Sequence, residues 1–391
     1  MKRETYKLKQ LCSEIVDCVN KTAPTSDVPT PYKMLRTSDI REGKINLENL
    51  NCVTKEVYEK WTRRGKLQKG DVIFTREAPL GEVGLVREEK NYFLGQRLVL
   101  FRANDKICDG RFLMYSLLWH DNKQAIISKG VGSTVAHLRV PECENIEIKA
   151  PDLDIQHRIA DILSAYDDLI ENNQKQIKLL EEAAQRLYKE WFVDLHFPGH
   201  ENTKIVDGVP EGWKKERLVD IAEIQYGYAF DGTLFNADKN GTPIIRIRNI
   251  PQAETMDYTT EHVSENYLVQ NGDIIVGMDG EFHINAWAGN TAYLVQRVCC
   301  IRPKNTEIKG WLLQAIYEPI KFFERTVVGA TVAHLGKKHL DSIYLLTSPE
   351  EFYEPFKTFF DKRLLLMNQN RKLREARDRL LPKLMSGEVE V

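Results

Sequence analysis

Arginine, glutamine and asparagine carry forked sets of hydrogen-bond donors and acceptors that suit the edge of a nucleobase, arginine for guanine and glutamine or asparagine for adenine. The sequence offers such groups at Arg36, Arg76, Gln96 and Arg97, and again at Arg246, Arg248, Asn249 and Arg297, with hydroxyls at Ser133, Thr134 and Thr331. Each has a plainer role open to it, in solvent or at the edge of a core. Gln-Arg stands at 96–97 and again at 296–297. A recurring pair reads as scaffold, because residues that specify should differ between copies. Tyr226, Tyr228, Phe282 and Trp287 have faces that can stack on bases or wedge between them, though such rings more often fill a core.

Catalytic chemistry is harder to find. His137 and His334 have the right side chain for a general base, but neither has a Cys, Ser or carboxylate motif beside it. The plainer reading is a structural histidine that closes a loop, with DNA contact as the alternative. No G-x-x-x-x-G-K-[ST] phosphate loop occurs, so no ATPase core is expected. Gly130-Val131-Gly132 is a fragment of a dinucleotide fingerprint without its strand–turn–helix setting. No Asn-Pro-Pro-aromatic motif of an adenine methyltransferase is present. Pro151-Asp152 lacks the acidic-x-Lys partner of a nuclease site and reads as a turn into a helix.

The elements that would position these groups are written twice. Thr134-Val135-Ala136-His137-Leu138 returns as Thr331-Val332-Ala333-His334-Leu335, each copy preceded by Val-Gly and a small residue. Other landmarks recur in the same order: Pro31 to Ile40 with Pro243 to Ile250, Gly70-Asp71 with Gly272-Asp273, Gln96-Arg97 with Gln296-Arg297. A helix-like segment follows each, Arg111 to Ile127 and Gly310 to Thr326. The separation drifts from about 210 to 197 residues, as small loop insertions produce. Each half is expected to be one α+β domain of roughly 150 residues, with short strands, Gly-Asp turns and then a helix. Between landmarks the halves diverge, as two copies of one scaffold with different surfaces would.

A long helical stretch follows each half. In the first, from about Asp154 to Trp191, the residues Ile159, Tyr166, Asn173, Leu180 and Leu187 are spaced by seven, and so are Leu163, Ile170, Ile177, Ala184 and Trp191. The second, from about Glu350 to Leu381, spaces Phe352, Phe359, Leu366, Leu373 and Leu380 by seven, each 193 residues beyond the first set. This is a heptad seam rather than a general apolar face. Two matched seams point to each other as an antiparallel pair of roughly 50 Å at 1.5 Å per residue. Asn173 and Asn370 are expected to help fix register, and Pro382 to end the second helix. The basic run from Arg371 to Arg379 reads as a solvated helix face, with phosphate or partner contact as the alternative.

Composition bounds the rest. A chain of 391 residues with 42% hydrophobic and 29% charged residues is globular and suggests two or three domains. Its formal net charge is −2. A protein that held DNA alone would be clearly basic, so DNA binding here implies that other subunits supply much of the phosphate clamp. Seven cysteines without C-x-x-C or zinc spacing fit a reducing compartment. The polar N-terminus is no signal peptide, and no apolar run is long enough to span a membrane, so a cytoplasmic location is expected.

Three stretches carry a family resemblance when taken in order. The first junction reads Gly132 to Leu138, then Ile146-Glu147-Ile148-Lys149-Ala150-Pro151, then Gln156-His157-Arg158-Ile159-Ala160. Val209-Pro210-Glu211-Gly212-Trp213 opens the second half, and Leu380-Leu381-Pro382-Lys383-Leu384-Met385-Ser386-Gly387-Glu388 closes the chain. The whole chain resembles the specificity (S) subunits of Type I restriction-modification systems. One departure is Thr347-Ser348-Pro349-Glu350-Glu351-Phe352, which lacks the Gln-x-x-Ile-Ala form of the first junction.

The resemblance implies an α+β chain of two similar α/β target-recognition domains separated by two long antiparallel coiled-coil-like helices, with an internal pseudo-two-fold repeat. The expected boundaries are 1–150, 151–200 for the central helix, 201–348, and 349–391 for the distal helix. Each domain would read half of a bipartite, asymmetric double-stranded DNA target, with the helices setting the spacer. The resemblance also implies a non-catalytic subunit that binds no cofactor. Two methyltransferase (M) subunits would use S-adenosylmethionine, and restriction/translocase (R) subunits would use ATP with Mg2+. A coiled-coil scaffold and a stand-alone DNA-modifying enzyme remain the alternatives.

Overall fold

The computed structural model describes residues 2–130, 136–326 and 333–391. Contacts divide the chain into two units, Met1–Asp168 with Arg374–Val391, and Leu169–Leu373.

In the first unit the central sheet is antiparallel, in the order Cys12–Asp17, Leu98–Ala103, Val72–Thr75, Val83–Leu85. Its middle strands carry the unbroken apolar runs Val72–Phe74 and Leu98–Phe101, because both faces are covered. Successive side chains point to opposite faces. Val72, Phe74, Val99 and Phe101 therefore join one core with Phe112 and Leu113, while Ile73, Leu98 and Leu100 join another with Leu35 and Ile40. A smaller sheet orders Asn51–Cys52, Lys33–Leu35 and Tyr92–Leu94, the last pair parallel. Glu4–Lys7 pairs with Glu147–Ala150.

The second unit repeats this plan. Its central sheet runs Ala222–Tyr226, Val298–Pro303, Ile274–Gly277, Ile284–Ala286, and Lys214–Arg217 pairs with Tyr344–Thr347. The two-sided parity also returns, with Ile274, Val276, Cys299 and Ile301 in one core and Ile275, Val298 and Cys300 in another. The smaller sheet has gained strands, but Thr242–Ile245 still lies parallel to Ala292–Leu294.

The recurring Gly-Asp landmark has a physical reason. Gly70 and Gly272 adopt φ of +91° and +86°, which favours glycine. The aspartates that follow are buried and accept from an arginine on the neighbouring strand, Arg102 to Asp71 and Arg302 to Asp273. The helix-like segment after each landmark is broken in two. It reads Gly110–Leu118 then His120–Ser128 in the first unit, and Lys309–Ala315 then Tyr317–Thr326 in the second.

The first long helix is Leu153–Tyr188, continued by a π turn at Lys189–Val193, and the second is Glu354–Ser386. In each unit the start of one packs on the end of the other. Ile159, Ala160 and Leu163 share a core with Leu384 and Met385 in the first unit. In the second, Tyr188, Trp191 and Phe192 meet Phe352 and Phe356.

The seam differs in detail from the heptad reading. Ile159, Leu163, Ile170, Asn173 and Ala184 are buried, while Tyr166, Ile177, Leu180, Leu187 and Trp191 are half-buried. Beside Tyr166 the buried residue is Asp167. On the second helix Leu366 is buried, but Phe359, Leu373 and Leu380 are only half-buried. Its buried row is Phe356, Arg363, Asn370 and Leu384, with Arg377 nearly so. A search for apolar residues passes over this row because three of its five members are polar. Phe352 lies in a 3-10 turn, Glu350–Phe352, ahead of the helix. Pro355 sits in the helix's first turn, where its missing N–H costs nothing.

Pro382 does not end the second helix, which continues to Ser386 and stops at Gly387 with φ +85°. An interior proline costs about 3 kcal/mol. Burial of Leu384 and Met385 stabilises by about 1.5–3 kcal/mol each, and Arg3 donates to the Leu384 carbonyl. Packing therefore outweighs the proline.

The junctions into the two helices use different chemistry. Buried Gln156 accepts from the Asp109 N–H and donates to the carbonyls of Ile107 and Pro151. The second junction has no such glutamine. There Tyr353 accepts from the Ser348 N–H and packs on Trp311. Trp213, from the Val-Pro-Glu-Gly-Trp opening, lies among Phe192, Phe197 and Phe352.

Candidate nucleic-acid interface

The same polar cluster forms in each unit, at the end of the central sheet. In the first unit the strand Val72–Thr75 runs into Arg76 and Glu77, and the Gln96-Arg97 turn feeds Leu98–Ala103. The Arg76 N–H donates to the Arg97 carbonyl (2.8 Å), and the Leu138 N–H donates to the Arg76 carbonyl (3.0 Å). A single antiparallel bridge pairs Glu77 with His137. The second unit makes the same set, with Met278 N–H to Arg297 carbonyl (2.9 Å), Leu335 N–H to Met278 carbonyl (2.7 Å), and Asp279 bridged to His334.

Side chains complete the clusters. Arg97 faces Glu77 at 3.3 Å. Arg297 pairs with one oxygen of Asp279, and His334 Nδ1 lies 2.6 Å from the other. Burial alone would raise the Asp279 carboxyl, but the hydrogen bonds from His334 and Arg297 more than offset it and hold the group below its ordinary value. Arg97 and Arg297 share a left-handed backbone, φ 69° and 71°. Cavities of about 260 Å³ and about 540 Å³ open at the two clusters.

The floors differ. Arg76 pairs with Asp17 at 3.0 Å in the first unit, whereas Met278 and Tyr226 stand there in the second. Both assignments follow from strand register, since Asp17 lies opposite Val99 and Tyr226 opposite Cys299. The Tyr226 hydroxyl is buried without a partner among the described residues.

Other sequence candidates lie on the adjoining parallel strand pair. Arg36 follows Lys33–Leu35, and the Gly95 N–H donates to the Leu35 carbonyl beside Gln96. Arg246 follows Thr242–Ile245, where the Val295 N–H donates to the Ile245 carbonyl beside Gln296. Most of these side chains are engaged within the protein. Arg36 is bidentate to Asp39, Arg248 pairs with Asp257, Asn249 accepts from the Arg246 N–H, and Gln96 accepts from Thr22. The Arg246 guanidinium lies over the Phe235 ring at 5.7 Å. Ser133, Thr134 and Thr331 lie outside the described residues, as do Val131 and Gly132 of the glycine fragment. Phe282 and Trp287 are core residues, while Tyr226 and Tyr228 are half-buried.

Sequence reasoning missed Glu77, Asp279 and the Asp17–Arg76 pair, because their partners are distant in the chain. The signal lay in the recurrence of an acid two residues beyond each sheet strand. Among the described residues no group of three or more His, Cys, Asp and Glu side chains could hold a metal ion. No described helix is long and apolar enough to cross a membrane.

Residues 4–182 and 210–351 match the Type I restriction modification DNA specificity domain. The chain belongs to that family. Its function is DNA sequence recognition by two target-recognition domains in a Type I restriction-modification system. It is 26% identical to the Type I restriction enzyme MjaIX specificity subunit of Methanocaldococcus jannaschii, over 83% of this chain and 78% of that one. It is 21% identical to the HindI specificity subunit of Haemophilus influenzae, over 91% and 94%. The fold is similar to that of the Type I restriction-modification S subunit from M. genitalium (TM-score 0.59, 18% identity, covering 98% of this chain and 96% of that one).

Proposed function

We propose that each unit of this specificity subunit reads one half of a bipartite, asymmetric DNA target and that the two long helices set the unread spacer. The chain supplies the address and makes or breaks no covalent bond. Two methyltransferase subunits supply methyl transfer with S-adenosylmethionine, and restriction subunits supply translocation and cleavage with ATP and Mg2+. The near-neutral charge of the chain supports a phosphate clamp shared with those partners. All seven cysteines are free, which suits work in a reducing cytoplasm.

One observation carries this reading. The two units repeat the same backbone hydrogen bonds around the polar clusters, yet Asp17–Arg76 in one stands where Tyr226 and Met278 stand in the other. One scaffold with two different surfaces suits two different half-sites. Arg246 is the leading base contact in the second unit, since no carboxylate pairs with it among the described residues. Arg36, Arg76, Arg248 and Asn249, together with Ser133, Thr134 and Thr331, stand as further candidates.

The test is methylome sequencing of cells that express the chain with its modification subunit. The expected motif is two short specified segments with a fixed gap. A contiguous motif, or none, would overturn the reading. Methylation or cleavage of DNA by the purified chain alone, with S-adenosylmethionine or magnesium, would overturn its non-catalytic part.

A further inference from the structure

Arg97 and Arg297 hold the same backbone conformation, pass the same hydrogen bond and face an acid at the same position. Their side chains are nonetheless about half exposed, at 52% and 61%, and that of His334 is 58% exposed. A purely structural arginine would be expected to bury its head among its partners. Two domains that read different half-sites cannot do so with the same side chains. What every half-site shares is its sugar-phosphate backbone.

We propose that Arg97 with His137, and Arg297 with His334, are matched phosphate contacts, one set on each domain, that seat the domain on the duplex whatever bases it reads. The proposal rests on the DNA-recognition reading and assigns these residues to its sequence-neutral part.

The geometry supports donors aimed outward. Asp279 uses one oxygen on Arg297 and the other on His334 Nδ1. Both of its oxygens are engaged, which leaves the remaining Arg297 N–H groups to donate to a phosphate, with His334 Nε2 beside them as a further donor when the ring carries both protons. In the first unit Arg97 spends Nε towards Glu77 and keeps both terminal nitrogens. Glu77 and Asp279 are the carboxylates facing the two sites. They orient the arginines and reduce the net charge, in keeping with a chain that shares its phosphate clamp. Selection among bases then falls to what differs around the clusters, including the Asp17–Arg76 and Tyr226–Met278 floors.

The experiment uses the complex of this chain with its modification subunit. Binding is measured across a range of salt concentrations, on a duplex bearing the motif found by methylome sequencing and on a scrambled duplex. The variants are R97N and R297N, because asparagine tolerates the left-handed backbone, and R297K, which keeps the charge. R97N and R297N are expected to weaken both duplexes by the same factor and to lower the salt slope by about one each. The methylated motif stays unchanged, and R297K keeps the slope.

Loss of specified letters in one half of the motif would make the arginine a base contact and overturn the proposal. Unchanged affinity and slope would make the cluster purely structural and overturn it equally. In both cases the wild-type complex still discriminates, so the recognition reading survives. A wild-type complex that binds the two duplexes alike would remove that reading, and this proposal with it.

Discussion

Arg377 of the second long helix meets Asp167 of the first at 2.5 Å, with both side chains almost out of solvent. Tyr115, on the helix Gly110–Leu118, donates its hydroxyl to the other Asp167 oxygen at 2.5 Å. Burial, and then Asp167 itself, push that hydroxyl well above its ordinary pKa, so it remains a donor. One carboxylate thus joins both helices and the body of the first domain. Removing one partner of a buried pair costs about 3–5 kcal/mol, because the other charge stays buried. Arg377→Ala is expected to lower stability by that amount in chemical denaturation. The double variant Arg377→Met with Asp167→Leu should recover part of it, the rest being the cost of about 1–3 kcal/mol for leaving the Tyr115 hydroxyl buried without its acceptor. A single variant within about 0.5 kcal/mol of wild type, the range of ordinary surface substitutions, would show that the pair holds nothing together.

The second unit does the same job with different atoms. Arg363 reaches Glu181 at 2.7 Å and donates to Asn285 Oδ1 on the sheet strand Ile284–Ala286. Fourteen residues separate Asp167 from Glu181, and fourteen separate Arg363 from Arg377, so the same antiparallel register holds in each unit. Deleting one heptad from each long helix preserves that seam. Methylome sequencing of such a variant should show a changed gap between unchanged half-site letters. Altered letters would contradict a spacer role for the helices.

Thiol chemistry should single out Cys52. The hydrogen bond from Lys33 at 2.8 Å draws its pKa below the ordinary thiol value, and the residue is half-buried. Burial pushes Cys12, Cys143 and Cys299 up to about 12, and raises Cys18, Cys108 and Cys300 as well. Reactivity follows the thiolate. Brief alkylation of the native chain near pH 8, read by peptide mass spectrometry, should mark Cys52 first, and Lys33→Ala should slow it. First labelling at a buried cysteine would contradict this.

Gly95 fixes the parallel strand pair. A Cβ there would lie 2.3 Å from the Leu35 carbonyl oxygen, a backbone atom that cannot swing aside. Gly95→Ala is expected to cost at least the upper end of the about 1–3 kcal/mol typical of overpacking. Gly232→Ala, with open space around it and an ordinary φ, is the control and should be silent or slightly stabilising. Equal melting temperatures for the two variants would remove the steric argument.

The duplication, the α+β character of each half and the pairing of two long helices were legible in the linear sequence, because repeats and heptads are local patterns that a few residues reveal. Glycine and aspartate at 70–71 and 272–273 were visible as landmarks, and their reason is equally local, a left-handed turn followed by a buried acceptor. Arg102, Arg302, Glu77 and Asp279 were not, since each acquires its partner from a strand or loop remote in the chain. Asn370 was expected in the seam and is buried there, but the two arginines of the same row stayed hidden for a related cause. Arg363 and Arg377 look like solvated charges until Glu181 and Asp167 arrive from the other helix. Pro382 looked like a terminus until the burial of Leu384 and Met385 outweighed it. Periodicity decides which elements form. Which polar groups are buried, and against what, depends on contacts between distant residues, and only the folded chain brings those together.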